Sequence, residues 1–430
     1  MQLPPDVGRF GLSTPAPLSG TEACTTPISV HADPADWPAP VPALARPLGE
    51  EAPAGRAPAL AELTTLRVGG PVGRYVEAHT EAELIDAVRQ ADAVGTPLLV
   101  IGGGSNILAA DAGFPGVVVR DARRQVTLSA DDRCGGVEFT ATAGTTWDDL
   151  VREAIANQWG GFAPLSGIPG TVGAAPVQNI GAYGAEVAEL LASVRVWDRA
   201  EGRPVQLPLA RLRLGYRDSD LKRSLTDADI GGGRTWGPTG RWVVLSVTFS
   251  VRAASLSAPI AYAQLARTLG VEVGERVDAR AVRDAVLELR RSKGMVLDDA
   301  DHDTWSAGSF FTNPILTSEQ AEALPAAAPR FPVTDHSRAV AGTRQAPVVE
   351  GLVKTSAAWL IDHAGFGKGF ALPEAGADPA AGLSTKHVLA LTNRGGARAA
   401  DLTALRDAVV AGVHERFGVT LVPEPVHVGF

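Results

Sequence analysis

Apolar residues recur along this chain at two alternating spacings, every second position and every third or fourth, and the switches between them predict strands and helices in succession. Residues 74–79 read as a strand. Thr80 with Glu83 makes a capping box that opens a helix to residue 93, with Leu84, Ile85 and Val88 on its apolar face and Gly95 as its stop. Leu98, Leu99, Val100 and Ile101 form a short buried strand that runs into Gly102-Gly103-Gly104-Ser105-Asn106-Ile107-Leu108, and residues 117–119 read as the next strand. The pattern is a βαβ unit with a glycine loop at a strand's C-terminal end, where open α/β sheets bind ligands.

A second unit follows. Residues 137–142 alternate as a strand, Thr146 with Asp149 is placed to cap a helix reaching residue 157, and Gly160-Gly161 ends it. The segment from Pro164 to Gly184 then carries five glycines in 21 residues and little charge. Apolar residues between those glycines imply burial, and the glycines imply close approach of the backbone to something. Residues 192–198 and 242–251 read as strands. Beyond 253 the chain turns Ala-, Arg- and Leu-rich, with helix over 281–291, a long connection over 320–350, a strand over 387–392, and a helix over 400–417 with Leu402, Leu405, Val409 and Val413 on one stripe. Gly418 ends that helix, and residues 420–429 run out extended.

Composition narrows the class. A chain of 430 residues with 45% hydrophobic and 20% charged positions predicts two or three domains. Twelve of the 31 prolines fall in residues 1–60, which therefore read as a flexible tail. No apolar stretch suits a bilayer crossing, the first ten residues offer no export signal, and a net charge of −9 disfavours a phosphate-tracking surface. A cytoplasmic protein that binds small molecules, without nucleic acid or membrane insertion, is expected. Cys24 and Cys134 are too far apart in sequence to suggest a disulfide framework or a metal site. Of the 39 basic residues only five are lysine (Lys222, Lys293, Lys354, Lys368 and Lys386), so a lysine here is a mild signal.

The chemistry begins at the triple glycine. A run of N–H groups in such a turn makes an anion-binding concavity, to which Ser105 and Asn106 add side-chain donors; the less favoured alternative is a tight strand turn. It is not the dinucleotide fingerprint, because the residues after it do not open a helix. Two glycine loops in one domain suit a dinucleotide, one holding pyrophosphate and the other lying against a flat ring, and FAD fits this better than a nicotinamide nucleotide. The run Asp298-Asp299-Ala300-Asp301-His302-Asp303 reads as a solvated loop rather than a metal site, and His387 as a satisfied histidine at a strand start.

Six ordered motifs carry a resemblance: Thr65-Leu66-Arg67-Val68-Gly69-Gly70, the 102–108 loop, the 166–184 segment, Gly215-Tyr216-Arg217-Asp218-Ser219, Gly308-Ser309-Phe310-Phe311 and Pro423-Glu424. Over residues 63–429 the chain resembles the UDP-N-acetylmuramate dehydrogenase family, the UDP-N-acetylenolpyruvoylglucosamine reductases of peptidoglycan synthesis. The resemblance implies an α+β fold, with a two-lobed FAD-binding domain of the PCMH/vanillyl-alcohol-oxidase-like type at 61–252 and a C-terminal α+β substrate-binding domain at 253–430. It implies non-covalent FAD, held by Arg67, Gly102, Gly103, Gly104, Ser105, Asn106, Ser166, Gly167, Ile168, Pro169, Gly170 and Gly173. It implies NADPH as reductant in a ping-pong cycle, and a monomer is expected.

Reducing an enolpyruvyl ether needs a hydride at the methylene carbon, a proton at the carbon bearing the carboxylate, and a cation beside that carboxylate. By the resemblance, Ser309 is the proton donor, Arg217 the cation and Glu424 the third catalytic group, either protonated toward the intermediate or ionised toward a donor. From residue pattern alone, Arg217 could equally pair with its neighbour Asp218. Tyr216, Tyr262, Lys293 and Asn313 are the implied substrate contacts, with Lys293 and Tyr262 at the diphosphate. Two alternatives stand beside this reading: another non-covalent FAD oxidase or dehydrogenase, and an idle nucleotide-sugar or flavin binder.

Overall fold

The structure, a computed structural model, describes residues 57–132, 136–334, 347–373 and 378–430. Most of the proline-rich segment and both cysteines lie outside the described residues, as does the middle of the long connection.

The first unit is a parallel sheet in which Phe114–Asp121 lies between Val72–Ala78 and Leu98–Ile101. The helix Glu81–Ala93 crosses one face, burying Leu84, Ala87, Val88 and Ala91 against Trp197, Val243 and Leu245 of the second unit. Its capping box forms as expected, with Thr80 Oγ1 accepting from the Glu83 amide and Glu83 Oε2 accepting from the Thr80 amide. Leu60, Leu63, Phe114, Val118 and Val428 fill the other face.

The second unit is an antiparallel sheet ordered Arg203–Pro208, Leu191–Asp198, Trp242–Val251, Gly136–Thr142, Val126–Asp132. One face packs Phe139, Trp159, Phe162 and Phe249 with Trp147 of the helix Trp147–Ala156. The box expected at Thr146 does not form: its side chain makes no cap bond, and Asp149 pairs with Arg152 one turn on. Helices Ala263–Leu269 and Ala279–Ser292, expected in the C-terminal domain from 253, bury Leu265, Val282, Ala285, Val286 and Leu289 in this same core. Core membership therefore runs past residue 252.

The C-terminal core packs helices Ala357–His363 and Ala399–Phe417 on Phe310, Phe311 and a short hairpin of Ala381–Leu383 with Leu391–Asn393. The strand expected over 387–392 is mostly a turn. Ser384 Oγ accepts from the amides of Lys386 and His387, and the Ala390 amide closes onto the His387 carbonyl. Within the long connection, Ile315–Thr317, Val348–Lys354 and Phe331–Thr334 form a small sheet. The chain end returns: Val426–Val428 pairs in parallel with Ile107–Ala109, directly after the glycine loop. Leu66, Val68 and Leu108 of the first unit join the C-terminal core in turn.

Candidate active site

Two contiguous cavities run between the units, sharing Ser105, Asn106, Thr171, Ala174 and Gln178 in their walls. The inner one (≈ 180 Å³) is lined by Gly102, Gly103, Gly104, Gly173 and residues of the second unit. The outer one (≈ 210 Å³) is lined by Ile168, Pro169, Gly181, Arg217, Arg290, Ser309 and Glu424.

The glycine loops line the cavities, but the groups that demand glycine belong to the protein. A Cβ on Gly103 would lie 2.7 Å from the Gly170 Cα, and one on Gly104, whose φ is +61°, would overlap the Leu63 carbonyl. The two loops therefore meet backbone to backbone, which bulkier residues would prevent. Ser105 and Asn106 spend their donors inside this seam, Ser105 Oγ on the Pro169 carbonyl at 3.1 Å and Asn106 Nδ2 on the Glu424 carbonyl at 3.4 Å. These bonds lock three segments together, and both residues line both cavities. Ser166 is buried and bonds Ala163 O; Gly167 and Gly170 support the wall from behind. Arg67 lines neither cavity. It has a left-handed backbone (φ +53°), forms an ion pair with Asp299 and lies over the Trp305 ring at 4.1 Å.

A buried ion pair fixes the second loop. Arg283, fully buried, is bidentate to Asp148 with both contacts at 2.7 Å, and Asp148 Oδ1 also accepts the Gly167 amide at 2.6 Å. Arg290 donates to the carbonyls of Gly167 and Met295 and reaches the outer cavity wall.

Arg217, Ser309 and Glu424 converge. Arg217, at φ +55°, leaves Asp218 to Arg223 and donates to the carbonyls of Asn179 and Gly181 at 3.2 and 2.6 Å, with Nε 3.8 Å from Glu424 Oε1. The Glu424 amide donates to the Phe310 carbonyl at 2.9 Å, so the residue after Ser309 is bonded directly to the glutamate's strand. Burial pushes the Glu424 carboxyl above its usual range, opposed by the nearby Arg217 and Lys222 charges.

His387 corrects the sequence reading. Its Nε2 lies 3.3 Å from Ser309 Oγ, and burial, reinforced by Lys293, Lys368 and Arg290, lowers its pKa to about 4. It is a neutral imidazole beside the serine. Tyr216 accepts the Asn313 amide at its hydroxyl and lies under Lys354, while Asn313 Oδ1 caps the Ala357 amide. Tyr262 and Lys293 meet through Tyr183, which stacks edge-on to Tyr262 at 5.6 Å and lies 5.9 Å from Lys293 Nζ. Tyr183, Gln178 and Lys222 had no role assigned from sequence; lysine scarcity was the one available signal, and it marked Lys222 only as one of five. The acidic run is tied to the protein, Asp299 to Arg67, Asp301 to Lys386 and Asp303 to Thr385.

Comparison with known proteins settles the relationship. Residues 72–207 match the FAD binding domain, and residues 299–428 match the UDP-N-acetylenolpyruvoylglucosamine reductase C-terminal domain. The UDP-N-acetylenolpyruvoylglucosamine reductase of Cutibacterium acnes is 48% identical over 381 residues, covering 89% of this chain and 90% of that one. That of Nocardia farcinica is 51% identical over 370 residues, covering 86% and 88%. The chain belongs to the UDP-N-acetylenolpyruvoylglucosamine reductase family. The fold agrees with the solved Thermus caldophilus reductase, with a TM-score of 0.50 at 24% identity over 86% of this chain and 97% of that one. The cofactor of this reductase family member is FAD. The two joined cavities and the closely apposed glycine loops fit an elongated dinucleotide with one flat ring system. Among the described residues no group of His, Cys, Asp or Glu could hold a metal ion, and no helix is long and apolar enough to cross a membrane.

Proposed function

We propose that this chain reduces UDP-N-acetylenolpyruvoylglucosamine to UDP-N-acetylmuramate, with NADPH as the electron source in a ping-pong cycle, as a monomer in the cytoplasm. The observation that carries this reading is the meeting of Arg217, Ser309 and Glu424 on one cavity wall from three distant parts of one polypeptide. Bound FAD supplies the hydride that reaches the methylene carbon. Arg217 binds the carboxylate next to the carbon that becomes electron-rich, its backbone-anchored guanidinium needing no reorganisation as charge builds. Ser309 Oγ–H gives its proton to that carbon, and the adjacent neutral His387 keeps the hydroxyl oriented. Glu424, whose carboxyl burial biases toward the protonated form, is placed to hydrogen-bond the developing enol. Tyr216, Asn313, Tyr262 and Lys293 line neither cavity; in this reading they are the groups that would receive the nucleotide portion. Ser309 is the test. Ser309→Ala protein should bind FAD and be reduced by NADPH normally, yet its reoxidation by the enolpyruvyl nucleotide should slow by roughly 10²- to 10⁴-fold in anaerobic stopped flow. Reoxidation at the native rate would overturn the assignment.

A further inference from the structure

Glu424 sits in the extended segment just before the strand Val426–Val428, with its amide on the Phe310 carbonyl of the C-terminal core, yet most of its other contacts come from the flavin-binding units. Its carbonyl receives Asn106 Nδ2 at 3.4 Å and Lys222 Nζ at 3.3 Å, while its carboxyl receives Gln178 Nε2 at 3.3 Å and faces Arg217. Lys222 is the contact without an evident structural purpose. It is partly buried, and no carboxylate among the described residues forms an ion pair with it, because its neighbours Asp218 and Asp220 are taken by Arg223 and Arg213. A chain that uses arginine for nearly every other cation has kept a compact ammonium here.

The turn that carries Lys222 is the one that carries Arg217. Gly215 and Asp218 exchange backbone hydrogen bonds, and Ser219 Oγ accepts the Lys222 amide at 3.0 Å while donating to the Val177 carbonyl at 2.8 Å. Arg217 and Lys222 therefore move as one body. We propose that Lys222 is a positioning residue for the reduction step: it pins the main chain of Glu424 to the turn that presents Arg217, so that carboxyl and guanidinium reach the substrate as a unit. This rests on the function proposed above. The charged and titratable groups that face Glu424 are Arg217, Lys222 and Tyr216, and Asp218 in turn faces Lys222; the glycine loop and the Ala175–Gln178 turn contribute only the uncharged Asn106 and Gln178. Both cations favour the ionised carboxyl, so removing Lys222 makes Glu424 keep its proton to higher pH.

The experiment compares full-length FAD-loaded Lys222→Met, Lys222→Arg and Glu424→Gln proteins, following flavin reduction by NADPH and reoxidation by the enolpyruvyl nucleotide across pH. In Lys222→Met the reoxidation rate should fall about 10- to 100-fold more than the reduction rate, the scale of a misplaced catalytic group. The Glu424-dependent limb of its pH profile should also move upward. Lys222→Arg should return the limb toward the native pH while recovering only part of the rate. The proposal is overturned if Lys222→Met slows both half-reactions equally, or leaves reoxidation within twofold and the limb in place. If Glu424→Gln is itself indistinguishable from the native protein, the proposed function fails rather than this inference alone.

Discussion

Replacing Arg283 by methionine isolates the link between core stability and the flavin loop. The side chain is fully buried, bidentate to Asp148, and Asp148 in turn holds the Gly167 amide. Methionine retains most of the apolar stem and fills the space, so the loss is chiefly electrostatic: a buried carboxylate stripped of its partner. Breaking one side of such a pair costs about 3–5 kcal/mol. The native pair carries its own penalty, since the Arg283 Nε has no acceptor, which favours the lower half of that range. At roughly 2–4 °C per kcal/mol for a unit of this size, the melting temperature should drop by about 6–16 °C in FAD-stripped protein. FAD affinity should weaken as well, because the Gly167 amide then depends on an acceptor with no counter-charge. The assay is thermal melting of stripped and FAD-saturated protein, with FAD titration by fluorescence, for Arg283→Met, Asp148→Asn and the double variant. Coupling is the decisive quantity: Asn can still accept the Gly167 amide and leaves no buried charge, so the double variant should recover most of the single-variant loss. A loss under about 1 kcal/mol for Arg283→Met, or strictly additive single losses, would refute the reasoning.

Two further outcomes follow from the titrating groups. His387 is neutral above a pKa of about 4, so the reoxidation rate should show no imidazole inflection between pH 5 and 8; an inflection near 6.5 that vanishes in His387→Gln would contradict the geometry. Glu424 has a folded-state pKa raised above the ordinary 4.5, so the native state is progressively penalised as pH rises from there through the raised value. Glu424→Gln should therefore melt higher than the native protein at pH 8, with the gap closing below about pH 4.5; a constant gap across pH would show that burial does not act on this carboxyl.

Local pattern was enough for much of the scaffold. Local alternation located the strands at 74–79, 98–101, 137–142, 192–198 and 242–251, the helices after Thr80 and Thr146, and the long C-terminal helix, whose Leu402, Leu405, Val409 and Val413 are all buried, but not the outer strands Val126–Asp132 and Arg203–Pro208. It failed where side chains compete with ladder pairing. Ser384 folds the expected strand at 387–392 into a turn, and that turn is what brings His387 to Ser309. A histidine's spatial neighbour 78 residues away has no trace in local sequence.

Composition and ordered motifs determined the family, the cofactor class and the three groups expected to do the chemistry, because each motif is a short run whose residue types the reaction needs. Only the tertiary structure decided how those groups are held. The last strand pairs with Ile107–Ala109 and carries Glu424 to the glycine loop, Arg217 is turned by a left-handed backbone away from Asp218, and glycines that read as a ligand cradle serve first to let two loops touch. These are contacts between segments separated by tens to hundreds of residues. Burial and long-range pairing fix them, and neither is encoded in the neighbours of any one residue.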